Sequence, residues 1–470
     1  MIAVTKYDVS PRIGVDQFSE IYFGDSRDIR GDIIYVGKLD EIGPSRDVYF
    51  DFSSERVMAI VGKRGSGKSY TLGSILESFC VVDPSGKISK NSTPRAVLLF
   101  DTINIFWTLK LVLQESDLAT PRMRQQFKLM KEWNIKPSDV KVDVWVPSGY
   151  RTSVMQAFVK DFYLNVCDFD ASDWGLLLNL DLIRDRMGQL LNEVYEKVVN
   201  DGYVAGGREV PPNKIYSIQD LIRCLEADDR IQKDYHPETI RGVTQQLLYY
   251  DRLSVLKTEG TKVGDILKPG TVSVLMLSGL PDEFKMAVVS VLMKKLMAER
   301  SISSYAAKRK AIEPKDRQDA PLLEKEFEKH VPKAVVAIDE AQNILPSERK
   351  TSASDVLVRF VREGRNIGLS LVITTQQPSA IDSRIMAQVD TLIIHKLAVQ
   401  KDIQTVYENL KSSEPAEIAD GHRKLTFPEL IRSLEVGQAL VSNTETTNNI
   451  VRCFILRVRP RITAHGGFEE

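Results

Sequence analysis

Cysteine is scarce and scattered: four residues, at 80, 167, 224 and 453 of a 470-residue chain, with no CxxC pair. That spacing excludes a common zinc pattern and fits a reducing compartment, with the four thiols as buried apolar fillers. The five histidines are dispersed too, and the acidic trio Asp168, Asp170 and Asp173 lacks the glycine and glutamate that a calcium loop needs at its sixth and twelfth positions. No apolar run approaches the length of a membrane span, and the opening MIAVTKYDVSPR lacks a signal-peptide core. A cytoplasmic protein without a membrane partner is expected. Excess charge of either sign is missing as well. Lys plus Arg (63) nearly cancels Asp plus Glu (64), so any polyanion site must be a local patch. There is no internal repeat or low-complexity tract, and the length suits two or three domains.

What is present is a glycine-rich octapeptide after an apolar run. Val57-Met58-Ala59-Ile60-Val61 leads into Gly62-Lys63-Arg64-Gly65-Ser66-Gly67-Lys68-Ser69, a phosphate-binding loop between a strand and a helix. Glycines there tolerate the backbone angles that turn successive N–H groups inward and leave room for an oxyanion. Lys68 is expected to reach the β- and γ-phosphates of ATP, and Ser69 to ligate Mg²⁺. The helix continuing through Tyr70 would aim its positive end at the nucleotide. Mg²⁺ carried by that nucleotide is the only metal expected.

Short β-branched and apolar runs recur between helical stretches, the pattern of an α/β fold with a mostly parallel sheet. The expected strands are 57–61, 96–101, 142–146, 272–278, 334–338, 370–375 and 391–396. Between 146 and 272 helical periodicity prevails with no convincing strand, so an inserted helical subdomain is expected over 148–268. Residues 1–55 alternate apolar and polar in EIYFG, DIIYVGKL and DVYFDF, which suggests a small β element before the core. The ATPase core would then comprise 56–147 and 269–435, with closing strands and a tail over 436–470. The charged stretch 301–332 reads as a solvated connector.

Hydrolysis needs a metal ligand and a residue that orients water. The run AVVAI ends in Asp339-Glu340. Asp339 can hold Mg²⁺ and Glu340 can polarise water against the γ-phosphate, although the pair could also cap the following helix. LVITT ends in Gln376, either a γ-phosphate sensor or an ordinary residue before a proline turn. Asp101, closing AVLLFD, is as good a helix cap as a catalytic contact. Arg359, Arg362 and Arg365 recur every three residues near one helix face. They make a solvated face, or Arg365, and less readily Arg362, reaches a neighbouring subunit's γ-phosphate. Arg457, Arg459 and Arg461 alternate onto one strand face, either a polar sheet surface or a path for a phosphate backbone.

With these motifs in order, the chain resembles the HerA branch of the HerA/FtsK motor ATPases. GKRGSGKSYTLG, VSVLMLSGLPDEFKMAVVSVLMKKL, AVVAIDEAQNILP, REGRNIGLSLVITTQQPSAIDSRIMAQVDTLIIHKL and VRPRITAHGG carry the resemblance over about half of the chain. It implies a RecA-like core and a homo-hexameric ring that threads double-stranded DNA using ATP. A nuclease or other effector partner follows from it, in DNA end processing or antiviral defence. On that pattern Lys68 and Ser69 match the loop Lys and Ser, and Asp339 and Glu340 the metal-binding and catalytic acids. Gln376 matches the sensor, Arg365 the arginine acting on the adjacent subunit, and His465-Gly466-Gly467 a C-terminal brace near a neighbour's nucleotide. Two features depart from the family: the N-terminal segment is shorter than its barrel, and Gln377 follows the sensor where relatives often carry Arg. An ATP-gated scaffold that assembles an effector without moving DNA is the alternative function.

Overall fold

The computed structural model describes residues 20–23, 32–40, 46–82, 87–91, 94–152, 158–312, 331–349, 351–410, 418–420, 423–445 and 450–467. One sheet of 13 strands organises them. From one edge it runs Glu20–Phe23, Asp47–Asp51, Ile33–Leu39, Ile450–Val458, Gln438–Glu445, Thr391–Ile394, Val57–Val61 and Leu369–Thr375. It continues through Ala334–Ile338, Ala96–Asp101, Thr271–Met276 and Lys141–Pro147 to Val159–Phe162. From Thr391–Ile394 to the far edge every neighbour is parallel. The fold is α/β of the RecA-like P-loop type.

The central strands are nearly continuous in apolar residues because both faces are covered. Val57, Ala59 and Val61 point into one core, and Met58 and Ile60 into the other. The helix Lys68–Cys80 packs Leu72, Ile75, Leu76 and Phe79 into the second core, each essentially fully buried. Burial on that scale stabilises by roughly 1.5–3 kcal/mol for each large side chain. The opposite face is covered by Asp282–Ile312 and Ser352–Ile367, which also pack on each other.

Three expectations change. The N-terminal strands do not stand apart as a barrel-like element: Ile33–Leu39 hydrogen-bonds antiparallel to Ile450–Val458 and so prolongs the central sheet. Pairing with the last strand of the described residues was invisible to local alternation. The stretch 148–268 is not purely helical either. Its helices Ala171–Leu177, Arg186–Glu196, Ile218–Ala227 and Pro237–Asp251 are accompanied by Val159–Phe162, which extends the parallel sheet, and by the hairpin Tyr203–Ala205 with Arg208–Val210. Finally, residues 301–312 continue the helix begun at Asp282. No glycine or proline interrupts it, and its inner face stays buried through Arg300, Ser303, Ser304 and Ala306. The rest of the expected connector, 313–330, lies outside the described residues.

This order places the carboxyl ends of four adjacent parallel strands, Val57–Val61, Leu369–Thr375, Ala334–Ile338 and Ala96–Asp101, along one edge. In open parallel sheets that edge is where ligands bind.

Candidate active site

The octapeptide forms the turn its glycines permit. Gly65 and Gly67 have φ of 75° and 108°, a region costly for side-chain-bearing residues. Gly62 is required by space: a Cβ would stand 2.5 Å from Ser66 Oγ and 2.7 Å from His395 Cβ. The loop is tied down by Ser66 Oγ donating to Lys63 O at 2.7 Å and by Lys63 N–H donating to Lys396 O at 2.8 Å. Lys63, Arg64 and Gly65 are exposed at its tip, Ser66 and Lys68 are buried, and Gly67 and Ser69 are half-buried.

Lys68 faces the expected acids. Its Nζ lies 3.7 Å from Glu340 Oε1, with both side chains 4% exposed. Burial lowers the Lys68 pKa, and the carboxylates of Glu340 and Asp339 oppose that shift. Gln376 Nε2 donates to the same Oε1 at 2.7 Å, and Gln342 Nε2 donates to Oε2 at 2.7 Å. Gln342 is fixed in turn by accepting from Thr375 Oγ1 at 2.8 Å. Glu340 has φ 49° and ψ 55°, a left-handed backbone whose strain is of the order of 1–2 kcal/mol for a residue with a side chain. Lys68, Glu340 and Gln376 are therefore brought together. Gln342 and the two threonines of LVITT belong with them and were missed, although a polar residue two positions after Glu340 was a legible signal.

Asp339 is fully buried. Its Oδ1 accepts from Thr374 Oγ1 at 2.6 Å, while Oδ2 has no hydrogen-bond partner. Burial, and next the Asp101 carboxyl, push its pKa up to about 8. An unsatisfied buried carboxylate oxygen at the loop-side strand edge, together with the half-buried Ser69 hydroxyl, is a donor set suited to a hard cation such as Mg²⁺. Asp101 ties down the turn that follows its strand. Its carboxylate accepts from Phe106 N–H at 2.8 Å and Ile103 N–H at 3.2 Å, and burial pushes its pKa up to about 6.

The arginine helix is Ser352–Ile367, with Arg359, Arg362 and Arg365 all exposed. Arg359 pairs with Glu363 at 2.8 Å. Arg365 ion-pairs with Asp390, whose Oδ2 also accepts from Val57 N–H at 2.8 Å. Arg365 thus sits at the amino end of the phosphate-loop strand, across the sheet from its own chain's site.

The tail departs furthest from expectation. Arg459 and Arg461 are fully buried, so they form neither a polar sheet surface nor a phosphate path. The strand ends at Val458, and beyond it both guanidinium groups turn onto Glu77 of the loop helix, at 3.2 and 3.4 Å. Glu77 also accepts from Ile462 N–H at 3.1 Å and Thr463 N–H at 3.0 Å. Tyr70, expected at the nucleotide, is engaged by this tail: its hydroxyl accepts from Arg461 N–H at 2.9 Å. Its ring meets that of His465 edge-on, with centroids 5.5 Å apart. The expected brace residues also touch their own chain: a Cβ on Gly466 would stand 2.6 Å from Ile105 O. A lone acid in the apolar helix after the loop was the signal for Glu77. The acidic trio is likewise neutralised internally, Asp170 and Asp173 by Lys294 and Asp168 by Lys295.

The family model for the central domain of the helicase HerA matches residues 34–296, more than half of the chain. The chain belongs to the HerA helicase family. A second model, for zonular occludens toxin, matches residues 281–425. The DNA double-strand break repair helicase HerA of Pyrococcus furiosus is 28% identical over 270 residues, covering 54% of this chain and 48% of that protein. The protein of the same name from Sulfurisphaera tokodaii is 27% identical over 222 residues, 47% of this chain and 37% of that one. The chain thus spans about half the length, or less, of these HerA relatives. Among solved structures, VirB4 of Thermoanaerobacter pseudethanolicus shares the fold, with a TM-score of 0.50 at 15% identity over 94% of this chain and 100% of that one. Among the described residues no helix is long and apolar enough to cross a membrane.

Proposed function

We propose that this HerA-family chain binds and hydrolyses Mg²⁺-ATP at the loop-side edge of its sheet and uses the energy to move along double-stranded DNA as a homo-hexameric ring. The observation that carries the reading is the convergence of Lys68 and Gln376 on Glu340 Oε1. Lys68 and the loop backbone hold the β- and γ-phosphates. Asp339 and Ser69 would hold Mg²⁺, which when bound would neutralise charge developing on the phosphates. Glu340 orients and deprotonates the attacking water, a role worth about 10²–10⁴ in rate. Gln342 and Gln376 fix which way its oxygens point, and Gln376 senses the γ-phosphate. Arg365, at the opposite sheet edge from its own site, suits action on a neighbouring subunit, where an arginine supplied in trans stabilises the transition state. A nuclease or other effector partner, in DNA end processing or antiviral defence, is inferred from the family resemblance.

The motor is tested by ATP turnover with and without duplex DNA, followed by displacement of a roadblock bound to the duplex. Turnover that rises with DNA and displaces the roadblock supports translocation. Brisk hydrolysis without displacement overturns it in favour of an ATP-gated scaffold.

A further inference from the structure

His395 follows the strand Thr391–Ile394 and lies directly behind the phosphate loop, fully buried. Its Nδ1 is 2.8 Å from Gln438 O, and its Nε2 is 2.8 Å from Thr71 Oγ1. The partners decide the tautomer. A carbonyl can only accept, so Nδ1 carries the hydrogen, and the neutral ring then presents Nε2 as the acceptor for the Thr71 hydroxyl. Thr71 is itself in the first helical turn, its N–H donating to Gly67 O at 2.9 Å. The ring also limits the loop by volume. A Cβ on Gly62 would meet His395 Cβ at 2.7 Å, and one on Gly67 would lie 3.7 Å from His395 Cε1 and from Gly437 N. Beyond the ring, Gln438 Nε2 donates to Asp40 Oδ2 at 2.7 Å, and Arg457 Nε donates to the same oxygen at 3.0 Å. A continuous set of polar contacts thus joins the loop helix to the closing strands and the N-terminal strands.

We propose that His395 and Thr71 are positioning residues for nucleotide binding: the neutral imidazole holds the start of the loop at Gly62 and the first helical turn at Thr71 at the spacing that receives phosphate, and anchors them to the closing strand through Gln438. The inference rests on the loop being a nucleotide site. The backbone at Gly62 abuts the His395 side chain, and the first helical turn is bonded to the ring through Thr71, whose N–H holds Gly67 O, so loss of either hydrogen bond of the ring frees the part of the loop that must already be shaped when phosphate arrives.

The test uses the full chain and Mg²⁺-ATP, with Kd measured by calorimetry, KM and kcat by turnover, and folding by thermal melting. His395→Asn keeps the donor towards Gln438 and loses the acceptor for Thr71; Thr71→Val removes the same hydrogen bond with little change of volume. Each is expected to weaken ATP binding by about tenfold, the effect of stranding one buried partner, raising KM more than it lowers kcat. His395→Gln, which can still accept from Thr71, should recover most of the affinity. The double variant should bind no more weakly than the worse single one. A merely structural role would lower the melting temperature while leaving Kd unchanged well below it. That result in Thr71→Val overturns the inference while the nucleotide reading stands. Failure of the unmodified chain to bind ATP overturns both.

Discussion

Lys68 and Glu340 meet across the sheet edge, Nζ to Oε1 at 3.7 Å, in a site where both side chains are 4% exposed. An ammonium is kept there against burial that lowers its pKa, and Glu340 supplies the nearest opposing charge. Replacing Lys68 by Ala should abolish measurable ATP binding and turnover together, because the same ammonium that faces Glu340 is the one that would meet the phosphates. Equilibrium binding of a fluorescent ATP analogue to Lys68→Ala, at unchanged melting behaviour, checks this.

The Arg365–Asp390 pair leads to a different pattern. Arg365→Ala should leave ATP affinity within about threefold of the unmodified chain while turnover falls by about 10³, the usual contribution of an arginine supplied in trans. Mixing Lys68→Ala and Arg365→Ala chains should restore activity that neither has alone, since a ring can then join an intact loop to a neighbour's intact arginine. No recovery on mixing would place Arg365 outside the shared site.

Glu77 is the structural lock of the tail. Removing it in Glu77→Ala would leave the buried Arg459 and Arg461 without their counter-charge, and breaking such a cluster costs about 3–5 kcal/mol. Urea unfolding should show a loss of that size. Arg459→Ala is expected to lower stability and to leave DNA affinity, measured at matched salt, unaltered.

Stability should also carry the signature of buried His395, whose pKa burial lowers to about 4 from an ordinary 6.5. The folded state keeps this ring neutral while the unfolded state takes up a proton. Between these two values the unfolded chain binds more protons, so its contribution is full above pH 6.5 and is lost as the pH falls towards 4. The difference in unfolding free energy between the unmodified chain and His395→Gln should shrink as the pH falls across that window, and a difference independent of pH would refute the assignment.

Much of the candidate site was legible because its signals are local. The strand and helix flanking Gly62–Ser69, the acids closing Ala334–Ile338 and the amide after Leu369–Thr375 each declare themselves within a few residues. What sequence could not reveal depends on contacts between distant segments. Alternation of Arg457, Arg459 and Arg461 looked like a strand face, yet the strand stops at Val458 and two of the three turn inward to an acid some 380 residues earlier. The same holds for Ile33–Leu39, whose neighbour is the last strand among the described residues. His395 was passed over because a single histidine in an apolar run carries no spacing pattern, and its role arises only where strand, loop and helix meet.

The central claim is that Glu340 is the water-activating base of an ATPase. It is tested most directly by measuring Mg²⁺-ATP binding and steady-state hydrolysis side by side for the unmodified chain and Glu340→Gln. The account predicts that the variant binds ATP at least as tightly, since a buried carboxylate facing the phosphates is gone, while its turnover drops by about 10²–10⁴. Hydrolysis by Glu340→Gln at the unmodified rate would contradict it.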